Sequence, residues 1–255
     1  MVVLFLARSC EDTHIFAQPL GVGIISLNFL GSCGMKLLLV AATPMETAIL
    51  RESLSMQEQE QGWWEQAGAE ICLLHTGLGM VNTAYHLGRF LAKHEVSQAI
   101  NFGIAGAWDR ALALGEVVEV VADCFAEMGA DSPEGYLNLE AMGFPLWQTE
   151  EAKVFNELFN PQPSSLALSK VSALTVNRVS GTEANIARRF REWPAQIETM
   201  EGAAFFHACL LAKVPFRAFR SISNYVEPRN RENWELKKAL EAIQHFLFAF
   251  VQDLN

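Results

Sequence analysis

Apolar residues fall along this chain in two alternating rhythms. Residues 36–42, Lys-Leu-Leu-Leu-Val-Ala-Ala, form an almost unbroken β-favouring run, the pattern of a strand buried on both faces. Residues 43–54 then carry their apolar side chains at helical spacing. Residues 62–68 and 70–76 read as two strands paired around a turn at Ala67 and Gly68, and residues 81–93 as a helix. Residues 98–103 predict a strand that ends in a small-residue loop, Gly103-Ile104-Ala105-Gly106-Ala107. Residues 116–121 predict another strand, residues 130–145 a Gly- and Pro-containing loop, and residues 161–165 a linker. Strands near 173–177 and 197–200 bracket a helix over 183–192. A helix over 202–213 leads to a last core strand, 216–223, and residues 231–254 close the chain as an amphipathic helix with Leu236, Leu240, Ile243, Leu247 and Phe250 on one face. Strands alternating with helices predict one α/β domain on a mostly parallel sheet.

Size and charge narrow this picture. A chain of 255 residues with 51% hydrophobic composition can bury one sizeable core, and nothing forces a second. The first 34 residues stand apart. Residues 1–7 are apolar but lack a basic start and run into Glu11 and Asp12, which makes a poor signal peptide. Residues 19–34 are apolar yet glycine-rich and too short to span a bilayer. We therefore expect residues 1–34 to be an extension or start-site artefact, with an added strand or interface arm as the rival reading, and residues 35–255 to be the working domain. A net charge of −10 argues against nucleic acid or an anionic membrane as partner. Five cysteines without a C-x-x-C pair, and six histidines without H-E-x-x-H, point to reduced thiols in a cytoplasmic protein with no metal site.

In open α/β sheets the ligand sits beyond the carboxyl ends of the strands. Four places qualify: Thr43-Pro44-Met45-Glu46, Thr76-Gly77-Leu78-Gly79, Thr199-Met200-Glu201-Gly202 and Ser223-Asn224-Tyr225. Glu46 could act there as a general base, yet Thr43 with Glu46 three residues on is also a capping box, and Pro44 suits a first helical position. Glu201 could hold a sugar diol or simply favour a helix N-terminus. Asn224 could present an amide to a ligand or end a strand. Gly77-Leu78-Gly79 fails as a dinucleotide fingerprint, because Asn82 stands where the third glycine belongs. No P-loop and no G-x-S-x-G is present. What remains is a cofactor-free pocket with two carboxylates, an amide and several small residues.

Taken together, from Met35 to the C-terminus, these places resemble the nucleoside phosphorylase and hydrolase superfamily, most nearly its nucleosidase branch. The opening strand followed by Glu46 looks like the first strand and catalytic glutamate of methylthioadenosine/adenosylhomocysteine nucleosidases. Leu78 and Gly79 are similar to their substrate-lining loop, Ile104, Ala105 and Gly106 to the segment against which the base lies, and Met200-Glu201 to their ribose-binding pair. Val179 and Ser223 join the substrate-binding set by the same resemblance. Asn224 departs from that pattern, in which an aspartate follows the serine. An amide with a fixed donor and acceptor suits a 6-oxo base better than a 6-amino base. The run Ser221-Ile222-Ser223-Asn224-Tyr225-Val226-Glu227-Pro228-Arg229-Asn230-Arg231, with Glu198-Thr199-Met200-Glu201-Gly202-Ala203-Ala204 upstream, is similar to the futalosine hydrolase family, whose members release hypoxanthine in menaquinone biosynthesis.

The resemblance implies a three-layer sandwich with a mixed, mostly parallel sheet, a small purine nucleoside as substrate, no cofactor, and a homo-oligomer. It implies that Glu46 activates water, that Glu201 and the Met200 backbone hold the ribose, and that Asn224 grips the base, while the proton for the leaving base comes from elsewhere. The aromatic carboxylate of futalosine calls for a cation, with Arg178, Arg229 and Arg231 as candidates. A phosphorylase is one rival, but the loop at Glu46 offers a carboxylate where phosphate would sit. An adenosine-type nucleosidase is a second rival, and a catalytically silent nucleoside-binding protein a third.

Overall fold

The computed structural model describes residues 36–60, 62–66 and 70–253; the leader over 1–34 and the turn at Ala67 and Gly68 lie outside them. β1 (Lys36–Ala41) alternates its side chains between two cores. Leu38 and Val40 enter one, with Phe205 and Phe206; Leu39 and Ala41 enter the other, with Ile243 and Leu247. That two-sided burial is why the run is apolar at nearly every position rather than at every second one. A 3-10 turn (Pro44–Glu46) and α1 (Ala48–Ser53) follow. β2 (Met56–Glu60), β3 (Trp63–Gln66) and β4 (Ile71–His75) form a meander. α2 (Met80–Leu91) leads into the long β5 (Val96–Ala107).

β6 (Val117–Phe125) is followed by the hairpin β7 (Gly129–Ser132) and β8 (Gly135–Asn138), and by the single turn α3 (Leu139–Met142). Short strands β9 (Trp147–Gln148), β10 (Lys153–Val154) and β11 (Glu157–Phe159) lead to β12 (Lys170–Thr175). The described chain ends through α4 (Glu183–Glu192), β13 (Ile197–Thr199), α5 (Gly202–Ala212), β14 (Phe216–Tyr225) and α6 (Leu236–Gln252). The main sheet runs β2-β3-β4-β1-β5-β13-β12-β6-β11, and β14 pairs with both β5 and β6. Strands β5, β14, β6, β12 and β13 therefore close on themselves. Pairing is parallel through the centre and antiparallel at the edges and at the two seams that close the ring, β13 with β5 and β14 with β6. Helices α2 and α5 cover one face and α1 and α6 the other, which is the expected three-layer α/β sandwich.

Several local expectations change. Gly103-Ile104-Ala105-Gly106-Ala107 is no loop: β5 continues through it, paired to β14 and then to β13. Its glycines are small because side chains from neighbouring segments press onto the strand. Residues 130–145 are largely structured as a hairpin and a helical turn. β2 went unanticipated because Gln57, Glu58, Gln59 and Glu60 are exposed on a sheet edge and carry no apolar alternation. The closing helix starts late, since a 3-10 turn (Arg231–Asn233) and extended Trp234 come first. Of the five cysteines, Cys72, Cys124 and Cys209 are buried free thiols, and Cys10 and Cys33 lie outside the described residues. No helix among the described residues is long and apolar enough to cross a membrane.

β14 and α6 are joined by an aromatic cluster. Phe219, fully buried, meets Phe246 at 5.0 Å and Phe250 at 5.5 Å between ring centroids, both edge-on. Phe219→Ala should destabilise the protein by about 3–5 kcal/mol, measured as a lower denaturation midpoint, through lost burial and the cavity left behind.

Candidate active site

The loop after β1 carries Glu46. Its Oε2 accepts hydrogen bonds from the Thr43 backbone N–H (2.9 Å) and hydroxyl (3.0 Å). One oxygen thus serves the cap, while Oε1 lies over β5 at Gly103, where a methyl group would collide with it. Two other segments pin the loop. The buried Thr47 hydroxyl sits 2.7 Å from His75 Nε2, and Gln244, buried on α6, accepts from the Ile49 N–H at 2.8 Å. His75 packs on Trp64 at 4.2 Å. Burial, helped by the Arg51 charge, pushes its pKa down to about 4, so the ring is neutral at about pH 7.

Glu201 stands at the N-cap position of α5, and its carboxylate accepts from the Gly79 N–H at 2.8 Å, which draws the Leu78-Gly79 loop to the Met200-Glu201 pair. Gly79 needs to be glycine, because its φ is 88°. Asp123, on β6, approaches the same helix start and was not singled out from the sequence. Its Oδ1 accepts from the Thr175 hydroxyl and the Cys124 N–H, both at 2.8 Å, and the Thr175 oxygen accepts from the Ala203 N–H at 2.8 Å. Asp123 Oδ2 is buried without a hydrogen-bond partner and abuts Gly202, where any side chain would clash with it. Burial is the main reason its pKa rises to about 7.

Arg220 answers these carboxylates. It lies buried on β14 and donates to the Phe219 carbonyl at 2.9 Å and to the Asn101 side-chain oxygen; the Asn101 amide donates in turn to the Val40 carbonyl at 3.0 Å. Its charge acts on Glu201, Asp123 and Glu46 alike. For Glu46 burial pushes the pKa up, Thr43 pulls it down, the Glu201 charge raises it and Arg220 lowers it. Glu201 is likewise raised, by burial, against the pull of Gly79 and Arg220. Arg220 and Asp123 are the buried charged residues of this cluster that the sequence alone did not yield. Their signal was a charged residue inside an otherwise apolar strand run, at Phe219-Arg220-Ser221 and Ala122-Asp123-Cys124.

Asn224 stands further along β14, beyond Arg220. The Ser223 hydroxyl donates to Asn224 Oδ1 at 2.8 Å, and Nδ2 donates to the Tyr225 carbonyl at 3.0 Å, so the amide orientation is set. A methyl on Gly106 would approach Asn224 Nδ2 to 3.2 Å. A small cavity of about 60 Å³ is lined by Gly106, Val179, Asn224, Arg229 and Trp234, with Glu198 and Ser180 among the other walls. Ser180 donates to Glu198 from its backbone N–H (2.7 Å) and its hydroxyl (2.6 Å), and Arg189, buried, donates to Glu198 at 3.3 Å and pairs with Glu127. Among the sequence candidates, Glu46, Leu78, Gly79, Met200 and Glu201 thus gather on the side of Arg220. Gly106, Val179, Ser223 and Asn224 gather on the other, with Ile104 and Ala105 on the strand that runs between them. Arg178 and Arg231 are exposed and lie outside this cavity lining. A larger hollow of about 390 Å³ opens near Trp147, Val154 and Leu210 but holds none of these residues; Asn156 there is occupied in bonding the Leu139, Phe125 and Met128 backbone.

An aspartate moved from its ordinary value of 3.8 to about 7 binds its proton more tightly in the folded state. Stability conferred this way is present below the unfolded value and is lost as pH rises to the folded one. Asp123→Asn keeps the acceptor for Thr175 and removes the ionisation. It should therefore be more stable than the parent at about pH 8, by on the order of 1–3 kcal/mol, and lose that advantage below about pH 4. Urea denaturation at the two pH values checks this.

The family model of the phosphorylase superfamily matches residues 36–253. The futalosine hydrolase of Thermus thermophilus is 35% identical over 187 residues, covering 71% of this chain and 81% of that protein. The futalosine hydrolase of Acidothermus cellulolyticus is 33% identical over 176 residues, 68% of this chain and 72% of its own. Among solved structures, a 5′-methylthioadenosine/S-adenosylhomocysteine nucleosidase from Colwellia psychrerythraea, in complex with adenine, superposes with a TM-score of 0.70 over 88% of this chain and 98% of that one. At 21% identity that likeness concerns the fold.

Proposed function

The chain belongs to the phosphorylase superfamily, as a nucleoside N-glycosidase/phosphorylase family enzyme, and on that premise we propose that it hydrolyses the N-ribosidic bond of futalosine, releasing hypoxanthine and dehypoxanthine futalosine. The reading is carried by one juxtaposition along β5. Gly103 lies under the free oxygen of Glu46, and Gly106 lies against the amide of Asn224, three residues or roughly 10 Å further on at strand rise. On this reading the sugar lies toward the Glu46 end of that stretch and the base toward its Asn224 end.

Cleavage of an N-glycosidic bond leaves an oxocarbenium-like sugar, so nearby negative charge lowers the barrier. Glu46 orients a water and takes its proton; Glu201 accepts from the ribose hydroxyls, with the Met200 backbone beside it. Asn224 donates its second Nδ2 hydrogen to the N7 and O6 edge, the first being held by the Tyr225 carbonyl, with Ser223 fixing which end of the amide faces which way. Val179, Ile104, Ala105 and Gly106 shape the base side, and Leu78 and Gly79 the sugar side. Three buried carboxylates around one arginine make a site that repels free phosphate, which favours water over phosphate as nucleophile. The identity to futalosine hydrolases in two organisms supports the substrate, and so does the amide at Asn224.

Incubation with futalosine in phosphate-free buffer should release hypoxanthine at a rate that added phosphate leaves unchanged. A rate that requires phosphate would make the enzyme a phosphorylase, and turnover of adenine nucleosides alone would make it an adenosine-type nucleosidase. Glu46→Gln should lower kcat by about a hundred- to a thousandfold with little change in KM. Near-normal turnover in that variant would remove Glu46 from the chemistry.

A further inference from the structure

The reaction leaves one charge unanswered at the base. When the C1′–N9 bond breaks, its electron pair passes to the purine, and Asn224 has neither a proton to give nor a charge to offset it. Two arginines beside that wall are otherwise engaged or remote. Arg110 lies over Tyr225, 4.4 Å from the ring centroid, and pairs with Glu227 at 2.7 Å. Arg231 is 5.9 Å from the Trp234 centroid and does not line the cavity.

Arg229 differs from both. It lines the same cavity as Gly106, Val179 and Asn224, and among the described residues no carboxylate pairs with it. The acids in that lining are already occupied: Glu198 by Ser180 and Arg189, Glu227 by Arg110 and Asn233. Its backbone N–H donates to the Gly181 carbonyl at 3.1 Å, and its guanidinium sits 5.0 Å from the Trp234 centroid. An arginine held by the face of an indole keeps its N–H donors free along the edge, a fork suited to a planar acceptor.

We propose that Arg229 is a specificity-determining residue that binds the O6 edge of a 6-oxopurine and takes up the charge of the departing base; this rests on the nucleoside-hydrolysing reading above. Atoms and charges balance in the step. The C1′–N9 pair goes to the base, water oxygen bonds to C1′, the proton of that water goes to Glu46, and the base anion held by Arg229 and Asn224 takes a proton from solvent on release. A 6-amino base turns donor hydrogens toward the guanidinium and gains nothing from it. Arg229 therefore serves the base end, rather than the sugar 5′ end where the carboxylate of futalosine would lie.

Arg229 is exposed, so its replacement leaves the core intact. The test measures free hypoxanthine and adenine affinities by calorimetry, together with kcat and KM for futalosine, in the parent, Arg229→Met and Arg229→Lys. Arg229→Met should weaken hypoxanthine binding and lower kcat by about ten- to a hundredfold each, the range of one charge-assisted hydrogen bond, with adenine affinity unchanged. Arg229→Lys should recover part of the loss, and added guanidinium ion should raise kcat of the Met variant. Undiminished hypoxanthine affinity in Arg229→Met would overturn the proposal, and would do so most directly if KM for futalosine rose alone, the mark of a residue reading the carboxylate tail. Should the parent bind hypoxanthine through Arg229 yet leave futalosine intact, the substrate assignment fails and the base-reading role stands.

Discussion

The buried charge of Arg220 conditions the site. Glu46, Glu201 and Asp123 are all withdrawn from water, and each buried ion in a protein carries a penalty of several kcal/mol unless it is answered. Arg220 answers all three from one strand position, held by Asn101 and the Phe219 carbonyl. An arginine suits this place because it stays charged where a lysine would shed its proton. With three carboxyl groups against one guanidinium the balance is incomplete, and it is met partly by hydrogen bonds and partly by the raised proton affinity of Asp123. Glu46 leans on Thr43, Glu201 on Gly79, and Asp123 on Thr175 and Cys124.

That concentration of charge demands close approach, and glycine supplies it. Gly103 lets Glu46 lie on β5, and Gly202 lets Asp123 reach the start of α5. The same strand is the hub of the sheet, pairing with β1, β13 and β14, so the groups carried by β1 and β14 share one axis with β5. Closing β5, β14, β6, β12 and β13 into a ring is what brings Arg220 of β14 alongside β6, the strand that carries Asp123. An open sheet in the same strand order would leave them apart.

The two walls of the site are built on different physics. The carboxylate wall is buried, charged and tied to both layers of helices, including Gln244 from α6. The group around Asn224 is a strand end and two loops, with a neutral amide, an exposed arginine and the Val179 segment pinned by Glu198 and Arg189. A change among these carboxylates disturbs the charge balance around Arg220.

What the sequence determined by itself is what depends on near neighbours in the chain. The helix expected over 183–192 is α4, Glu183–Glu192; the strand at the start of the domain is β1; and Thr43, Pro44 and Glu46 form the cap their spacing predicts. The positions of Glu46, Glu201 and Asn224 at or after strand ends were legible for the same reason, since a strand end is a local event. Tertiary structure decided the rest. Gly103 to Ala107 is strand rather than loop because its partners stand on β14 and β13, distant segments of chain that only folding brings alongside. Arg220 and Asp123 were not legible as members of the cluster, because the counter-charges that make them tolerable stand on other segments of the chain. Burial of charge is a property of pairs brought together by folding, and no single stretch of chain contains it.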